Sequence, residues 1–391
     1  MIERITVHGF RGARDVALSP GELCVLVGES SSGKSTVLSA IWTLLEAAAP
    51  MPTAADVSRG YSRVRVEAVV GDRTLFLDAR PPATLNLNRE GAPPALFFPA
   101  NLRPTSLLAV TEQAAREAAG VVRREETDDG GLSLVRSIAA LVEARTRGLV
   151  ILIEEPELFL SPPAQRHLHR LLRRLAARGR NQVLYSTHSP VFLAVDRLEQ
   201  LVLVRHDERT GTTLLQPDGL PREQTFRLLA ELDSERAEIF LSRAVLLVEG
   251  RTEKLVFPFV FRALGYDVDQ EAIAIVDCAG KGNIPLFAEV CNLCAIPYVV
   301  VHDRDAARGA APAEAERIAN EAILRAAGRK RTVALVPDFE GVTGLRARRG
   351  KPEAAYRRFH RGDGEVPGPL RQAVERVVAG ARRSPRTTRG A

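Results

Sequence analysis

The 391-residue sequence contains little cysteine and no long apolar segment. Its four cysteines are too few for the disulfide framework of a small secreted domain. No apolar run approaches the roughly 18 residues that a transmembrane helix requires, and the N-terminus lacks the basic and apolar segments of a signal peptide. These absences exclude a disulfide-rich class and a membrane-spanning class, and we expect a cytoplasmic protein with no membrane partner.

One cysteine pair, Cys291-x-x-Cys294, has the spacing of half a zinc site. A structural zinc site needs a second pair of cysteine or histidine ligands, and the sequence has no such pair at a matching spacing. The pattern therefore favours two buried thiols on a helix over a metal site.

Lysine is also scarce, because only five of the 54 basic residues are lysine. With 48 acidic residues, the formal net charge is +6. This mild excess of positive charge permits a nucleic-acid partner without establishing one. Since arginine supplies the ordinary surface charge, a lysine within a motif points to a role for the amine itself.

Apolar strand patterns alternate with helical patterns along most of the chain, which predicts an α/β fold. In the first part, 1–242, this alternation surrounds a glycine- and serine-rich loop. From Arg243 onward a second unit shows the order strand, helix, strand, helix, strand as far as His302. We therefore expect two domains, 1–242 and 243–366, and a basic, disordered tail at 367–391.

The loop in the first part, Gly28-Glu-Ser-Ser-Ser-Gly33-Lys34-Ser35, matches the P-loop pattern G-x-x-x-x-G-K-[ST] in full. It follows a predicted strand and opens a predicted helix, which is the context that the motif requires. In such a loop the backbone N–H groups bind phosphates, the lysine reaches the β- and γ-phosphates, and the serine hydroxyl binds Mg²⁺. We therefore predict an ATP site formed by Gly28, Ser32, Gly33, Lys34, Ser35 and Thr36.

The apolar strand 149–153 ends in Glu154-Glu155-Pro-Glu, which has the form of a Walker B motif. In P-loop ATPases an acid at this place helps to hold Mg²⁺, and a neighbouring residue orients the attacking water. We predict the first role for Glu154 and the second for Glu155. His188 follows the next predicted strand, and this position predicts that it senses the γ-phosphate.

Four acids follow two predicted strands of the second unit: Glu249 and Glu253 after one strand, and Asp303 and Asp305 after another. In α/β folds, sites form at the carboxyl ends of neighbouring parallel strands, and the Asp-x-Asp spacing predicts that both aspartates point to the same side. Two hard divalent cations would satisfy such a cluster, and paired metals suit phosphodiester chemistry. Any one of these acids alone would be a solvated surface residue.

The P-loop, the Walker B acids and His188 together resemble the ABC-type ATPases of the SMC and RecF kind. Phe10-Arg11-Gly12 resembles their N-terminal Phe-Arg element beside the nucleotide, which implies a nucleotide contact for Arg11. In that class ATP is bound between two protomers, so the resemblance implies a homodimer through the ATPase heads. The best candidate for the signature motif is the segment 128–133, Asp-Asp-Gly-Gly-Leu-Ser.

Glu249-Gly250 followed by Asp303-x-Asp305 resembles the pattern of a Toprim domain, and the loop 280–283, Gly-Lys-Gly-Asn, resembles a Toprim loop. An ABC-type head followed by a C-terminal Toprim domain is similar to the OLD (overcoming lysogenization defect) family of nucleases. The resemblance covers roughly residues 1–360. The fold class that it implies is α/β, with an ABC/SMC-like P-loop ATPase head followed by a Rossmann-like Toprim domain.

The OLD resemblance implies an ATP-dependent or ATP-regulated DNA endonuclease that uses Mg²⁺, with Mn²⁺ as an alternative ion at the Toprim site. It implies that Glu249, Glu253, Asp303 and Asp305 bind two metal ions and that Glu249 and Asp303 take part in catalysis.

Two further residues and several partners follow from the same resemblance. Lys351 resembles a family lysine that stabilises the pentavalent phosphate, a plain loop lysine being the alternative, and Glu340 is a further candidate acid. The implied partners are DNA and a helicase-type protein, and the implied role is phage defence or DNA repair.

Three alternatives remain open from the sequence. A topoisomerase needs a nucleophilic tyrosine on a separate DNA-binding domain, whereas the five tyrosines lie within the two units. A primase needs a polymerase fold and usually a zinc ribbon, and the sequence shows neither. The more serious alternative is an SMC/RecF-like ATPase switch that binds DNA without cutting it, with the four acids as a relic or a structural metal site.

Overall fold

A computed structural model describes residues 1–100, 130–193, 197–305, 313–345, 350–361 and 365–384. The chain divides into two units, of which the first covers Met1–Gly219 and the second begins at Leu220. The second unit therefore starts before the expected boundary at Arg243.

The first unit contains two sheets and the helices that cover them. Short 3₁₀ helices lie at Ala54–Asp56, Pro190–Leu193 and Leu198–Gln200. The other elements, in chain order, are β1 (Arg4–Phe10), β2 (Ala13–Leu18), β3 (Leu23–Val27), α1 (Lys34–Leu45), β4 (Val64–Val70), β5 (Arg73–Arg80), β6 (Thr84–Asn88), β7 (Ala95–Phe98), α2 (Gly130–Glu143), β8 (Val150–Glu154), α3 (Pro162–Ala177), β9 (Gln182–Thr187), β10 (Leu201–Asp207) and β11 (Gly211–Leu215).

The two sheets of this unit differ in strand direction. One is antiparallel, with the order β2-β1-β4-β5-β6. The other has the order β11-β10-β3-β9-β8-β7 and is parallel from β10 to β7. All five side chains of β3 are buried, as expected for a strand that is covered on both faces of a parallel sheet. The carboxyl ends of β3, β8 and β9 meet at one edge, which brings the P-loop, the Walker B acids and His188 together.

The segment 80–105 is rich in proline and asparagine, a composition that predicts loop. The structure instead forms β6 and β7 within it, and β7 pairs in parallel with the Walker B strand β8. Here the pairing of β7 with β8 and the burial of Phe98 outweigh the loop-like composition of the segment. The candidate signature motif begins at Asp128 and Asp129, which lie outside the described residues.

The second unit is built on one parallel sheet with the order β13-β12-β14-β15. Its 3₁₀ helices lie at Arg236–Leu241, Lys281–Asn283 and Arg329–Arg331. Its other elements are α4 (Arg222–Glu231), β12 (Ala244–Val248), α5 (Arg251–Ala263), β13 (Ile273–Asp277), α6 (Ile284–Leu293), β14 (Tyr298–Asp303), α7 (Glu314–Ala327), β15 (Thr332–Leu335), α8 (Phe339–Thr343), α9 (Lys351–Phe359) and α10 (Gly368–Arg383).

Helix α10 corrects one expectation from the sequence. The prediction that the tail from residue 367 is disordered is wrong for Gly368–Arg383, which forms a regular helix. This helix buries one apolar face in the core of the second unit, including Leu370, Val374 and Val377. The arginines that make the segment look like a solvated tail lie on its other face, so the segment is amphipathic.

Two findings bear on the function classes considered above. Within the described part of the chain, no helix has the length and apolar character needed to cross a membrane. Cys291 lies in α6 and Cys294 is its C-terminal cap, and both side chains are buried.

Candidate active sites

The P-loop joins β3 to α1, and Lys34 lies buried at the start of that helix. Its Nζ donates hydrogen bonds to the carbonyl oxygens of Gly28, at 2.9 Å, and Glu29, at 2.8 Å. Burial lowers the pKa of Lys34 to about 8, against the opposing attraction of Glu155 and Glu157. The ammonium thus lies inside the loop, at the place where the motif requires a phosphate-binding cation.

Two features of the loop suit a phosphate ligand. Gly33 has φ +107°, and a Cβ at this position would collide with the side chain of Thr212. Thr212 Oγ1 donates to the carbonyl of Ser32 at 3.0 Å, so β11 holds the loop in place. The Ser32 hydroxyl is buried and has no partner among the described residues, which leaves a donor for a bound anion. Ser35 is exposed and Thr36 half-buried at the start of α1.

The Walker B acids lie at the ends of the neighbouring strands. Glu154 accepts a hydrogen bond from the backbone N–H of Ala100 at 3.2 Å. Glu155 has φ +46°, and its Oε1 lies 3.8 Å from His188 Nε2. Burial, followed by the charge of Lys34, lowers the pKa of His188, so the imidazole is neutral at pH 7. The structure therefore brings the predicted water-orienting acid and the predicted sensor together.

Glu157 has a role that the sequence did not assign. It accepts hydrogen bonds from Thr187 Oγ1 at 2.9 Å and from the backbone N–H of His188 at 2.6 Å. Burial raises its pKa despite these hydrogen bonds. Its position as the third acid of the Walker B segment, just beyond the end of β8, is the signal that could have identified it.

Arg11 has φ +49°, and its Nε donates to Asp56 Oδ1 at 2.8 Å. The neighbouring Gly12 accepts a hydrogen bond from the backbone N–H of Thr212, the residue that holds the P-loop. The Phe-Arg element therefore borders the P-loop through Thr212, while the guanidinium of Arg11 is engaged by Asp56.

In the second unit, Glu249 follows β12, Glu253 lies in the first turn of α5, and Asp303 ends β14. The backbone N–H of Asp303 donates to Glu249 Oε2 at 3.3 Å. The carboxyl group of Asp303 accepts the backbone N–H of Phe339 from the start of α8. Parallel pairing of β12 with β14 thus aligns these acids at one edge of the sheet.

Burial and mutual repulsion dominate the electrostatics of this cluster. Burial and then repulsion by Glu249 raise the pKa of Asp303 to about 8, and the same two causes raise the pKa of Glu253 to about 7. Burial also raises the pKa of Glu249. The Oδ1 atom of Asp303 is buried without a partner among the described residues. Oxygen donors of this charge suit Mg²⁺ or Mn²⁺.

The carboxylate oxygens are suitable ligands for divalent cations, but the side chains are not arranged around an ion. No group of three His, Cys, Asp or Glu residues in the described ranges is arranged to hold an ion as the side chains stand. Binding of one ion by three of these acids would therefore require their side chains to rearrange.

Asp305 differs from the expectation that it points to the same side as Asp303. β14 ends at Asp303, and Asp305 has φ +52°, so strand alternation does not extend to it. Its Oδ2 lies 2.5 Å from the buried Nζ of Lys281, which also lies 2.6 Å from Glu316 Oε2. Lys281 comes from the Gly-Lys-Gly-Asn loop, but no local pattern indicated Glu316, which α7 supplies from a distant part of the sequence.

The structure brings Lys351 and Glu340 to this cluster. Lys351 Nζ lies 2.6 Å from Glu340 Oε1, and this contact, with smaller contributions from Asp303 and Asp338, raises the pKa of Lys351. Glu340 in turn contributes to the raised pKa of Glu253. The acidic cluster therefore has two lysines nearby, Lys281 paired with Asp305 and Lys351 paired with Glu340.

Comparison with known protein families identifies the two domains in which these residues lie. Residues 240–305 match the family model of the Overcoming lysogenization defect protein-like, TOPRIM domain. Residues 129–194 match an AAA domain, and residues 1–53 match a family described as a protein of unknown function. The predicted OLD-family resemblance is confirmed. The OLD-like Toprim match contains Glu249, Glu253, Asp303 and Asp305, and the AAA match contains the Walker B acids and His188.

Curated relatives of the chain include OLD nucleases. One, from Thermus scotoductus, is 33% identical over 275 residues, which are 64% of this chain and 52% of the relative. Another, from Escherichia phage P2, is 28% identical over 170 residues, 42% of this chain and 29% of the relative. The chain thus spans about half the length of the Thermus relative and less of the phage relative.

Solved structures similar to the chain include the C-terminal region of the Burkholderia pseudomallei OLD protein, with 17% identity and a TM-score of 0.30 over 36% of this chain and 99% of that one. The SMC head domain from Thermotoga maritima has 15% identity and a TM-score of 0.38, over 56% of this chain and 99% of that one. From the two family matches and its own sheets, the OLD-like chain is an α/β protein with an ATPase domain and a Toprim domain. Such domains in general use a nucleotide and a divalent metal.

Proposed function

We propose that the protein is an ATP-dependent or ATP-regulated, divalent-metal-dependent DNA endonuclease. The observation that carries this proposal is the cluster of Glu249, Glu253 and Asp303 at the ends of two paired parallel strands, where burial raises the pKa of each carboxyl group. It lies within an OLD-like Toprim match, and the chain is similar to proteins named OLD nucleases. Perturbed carboxylates at the carboxyl edge of a parallel sheet are typical of a catalytic site.

In this proposal Glu249, Glu253, Asp303 and Asp305 hold two ions, Mg²⁺ or alternatively Mn²⁺. Bound metals would supply an activated nucleophile and stabilise the leaving oxygen of a phosphodiester. Asp305 must first exchange its contact with Lys281 for a metal ligand role. Lys351 donates to a phosphate oxygen of the substrate, and Glu340 orients its ammonium from 2.6 Å away.

The ATPase domain acts as the regulator. Gly28, Ser32, Gly33, Lys34, Ser35 and Thr36 bind the phosphates and Mg²⁺ together with Glu154. Glu155 orients the attacking water, and His188 senses the γ-phosphate from its place beside Glu155. Arg11 contacts the nucleotide after release from Asp56. Two heads form a homodimer around ATP, so that ATP binding controls access of DNA to the acidic cluster.

The proposal also includes a cellular location, a biological role and a protein partner. A cytoplasmic enzyme of this kind would act on DNA in phage defence or DNA repair, with a helicase-type protein as a partner. Mild positive charge is compatible with backbone contacts that do not read sequence.

Cleavage of supercoiled plasmid tests this function. The full chain is incubated with Mg²⁺ or Mn²⁺, with and without ATP, beside Asp303→Ala and the control Asp269→Ala, an exposed acid of the same unit. We expect metal-dependent nicking by the wild type and the control and none by Asp303→Ala. Equal nicking by Asp303→Ala would assign the activity to a contaminant and reject the proposal.

A second candidate is a DNA-binding ATPase switch that does not cut DNA. The open geometry of the acids and the pairing of Asp305 with Lys281 favour it. This candidate predicts ATP hydrolysis and DNA binding by folded protein without nicking under any metal. In that case, Asp303→Ala would leave DNA binding unchanged.

A further inference from the structure

A cleft of about 640 Å³ lies in the second unit, at the edge of the sheet opposite to the acidic cluster. It is lined by Tyr298, the first residue of β14, and by Lys330 and Arg331, which directly precede β15. Asp303 is at the other end of β14. At about 3.3 Å per residue, the two ends of this strand are about 16 Å apart, so the cleft is separate from the proposed nuclease site.

The cleft is strongly basic. Its lining contains Lys330, Arg331, Arg376 and Arg383, and none of the described residues that line it is acidic. Lys330, Arg331 and Arg383 are exposed, and Arg376 is half-buried. Four cations that converge on one concave surface without an acid create a positive field that attracts anions.

Two of the arginines are held in place by neutral groups. Arg331 Nη1 donates to Asn292 Oδ1 at 2.7 Å and to Tyr298 Oη at 3.3 Å, and its guanidinium lies 5.0 Å from the centre of the Tyr298 ring. Arg376 Nη1 donates to the carbonyl oxygens of Lys330 and Thr332, both at 3.2 Å. These contacts fix the two guanidinium groups without neutralising their charge.

Some exposed arginines elsewhere in the unit are neutralised by carboxylates: Arg317 by Glu314, Arg357 by Glu353 and Arg382 by Glu271. For the four cleft cations, no carboxylate of the described ranges lies within ion-pair distance. A concave surface with four cations and no acid in its described lining is suited to an external anion.

We propose that this cleft binds phosphate groups of a ligand. Guanidinium groups in a fixed position match phosphate through paired N–H donors, and Lys330 adds a point charge at the rim. The phosphates could come from a nucleic-acid backbone, as a second contact outside the acidic cluster, or from a free polyphosphate compound. Binding does not depend on the proposed nuclease activity, because the cleft contains none of its residues.

Arginine footprinting tests the cleft in the wild-type full chain, in EDTA so that no metal-dependent cleavage occurs. Phenylglyoxal modifies accessible guanidinium groups, and mass spectrometry locates the modified residues. The two probes are inorganic tripolyphosphate and an oligothymidylate of about 12 nucleotides, a length within the usual range for single-strand sites. Arg331 and Arg376 report on the cleft, and Arg317 and Arg357 serve as controls.

We expect protection of Arg331 and Arg376 to exceed protection of the controls, because Arg331 and Arg376 line the cleft and the controls do not. Protection by the oligonucleotide at lower concentration assigns a nucleic-acid backbone, and protection by tripolyphosphate alone assigns a free phosphate compound. No protection by either probe, or equal protection of the controls, overturns the proposal.

A charge-matched pair of variants provides a second readout. Lys330→Gln with Arg331→Gln removes two cleft charges, and Arg317→Gln with Arg357→Gln removes two charges that are already paired. We expect the cleft variant to weaken binding of the favoured probe about tenfold. If that probe is the oligonucleotide, the slope of log K against log salt falls by about 1.4, since each single-strand phosphate contact contributes about 0.7. An equal loss in both variants would show a net-charge effect and reject the cleft as a site.

Discussion

The ammonium of Lys281 lies 2.5 Å from Asp305 and 2.6 Å from Glu316, and its side chain is only 8% exposed. Lys281 therefore serves as an internal counter-ion on one side of the acidic cluster. Because this lysine pairs with Asp305, a metal ion at the proposed site would compete with Lys281 for that carboxylate.

Replacement of Lys281 tests this competition. In Lys281→Met, Asp305 and Glu316 lose their partner, but each is 38% exposed and remains hydrated. We therefore expect a modest loss of about 1–2 kcal/mol in the free energy of unfolding without metal, and tighter Mg²⁺ binding by calorimetry. Lys281→Arg keeps the charge and should keep wild-type metal affinity. Unchanged or weaker Mg²⁺ binding by Lys281→Met would contradict the competition.

The pH dependence of stability follows from the raised pKa values of Asp303 and Glu253. The folded state keeps protons on these acids up to pKa values of about 8 and about 7, whereas the unfolded chain releases them near 3.8 and 4.5. The unfolded state thus binds fewer protons in this interval, and the free energy of unfolding falls as pH rises from about 4 to 8. The contribution of each acid to this slope is at most about 1.4 kcal/mol per pH unit.

Urea denaturation of the metal-free protein between pH 5 and pH 8 measures this slope. We expect Asp303→Asn to flatten it and to be more stable than the wild type at pH 8, because the amide carries no charge. Mg²⁺ should stabilise the wild type more at pH 8 than at pH 5. A variant with the same slope as the wild type would show that Asp303 does not titrate as described.

Glu155 and Glu157 are expected to differ in function although both belong to the Walker B segment. Glu155→Gln should lower the kcat for ATP hydrolysis by about 10²–10⁴-fold, the usual contribution of a group that assists proton transfer, and leave ATP affinity nearly unchanged. With ATP bound and not hydrolysed, size-exclusion chromatography should show a dimer. A monomer under these conditions would count against dimerisation through the heads.

Glu157→Gln provides the contrast. Glu157 touches Thr187 and the backbone of His188 instead of the predicted water position. Since an amide can still accept one of these hydrogen bonds, we expect a smaller loss of kcat than in Glu155→Gln, together with lower thermal stability. A kcat as low as that of Glu155→Gln would assign catalysis to Glu157.

Truncation tests the correction about the C-terminal segment. Helix α10 buries Leu370, Val374, Val377 and Val378, and each such side chain contributes about 1.5–3 kcal/mol on burial. Their sum is comparable with the whole stability of a typical domain, about 5–15 kcal/mol. A chain that ends at residue 366 should therefore fail to fold, whereas one that ends at residue 384 should unfold cooperatively. A cooperative thermal transition in the shorter chain would restore the view of a dispensable tail.

Local sequence motifs predicted the main parts of both sites. The P-loop, Glu154, Glu155 and His188 are identifiable because the chemistry needs particular residue types at strand ends that lie close together in space. In the structure, His188 Nε2 lies 3.8 Å from Glu155 Oε1. The same argument found Glu249 and Asp303, because parallel pairing of β12 and β14 follows from their apolar sequences.

Other features depend on residues that are far apart in the sequence. Strand alternation suggested that Asp305 would join Asp303, but the backbone turns after β14 and Lys281, 24 residues away, attracts Asp305. The 35-residue separation between Lys281 and Glu316 gave no local signal. Glu157 was visible as a residue of the motif, but its role became clear only from the position of Thr187.

The sequence by itself determined the ATPase and Toprim character of this chain, since these depend on short patterns of residues adjacent to strands. Tertiary structure decided which charges are compensated. It places Lys351 beside Glu340 and pairs Lys281 with Asp305. It also buries the apolar face of α10, although the helix contains several arginines. The physical reason is that two charges interact strongly only when they lie within a few ångströms of each other. The folded sheet sets the distances between charged groups, and the order of residues along the chain does not.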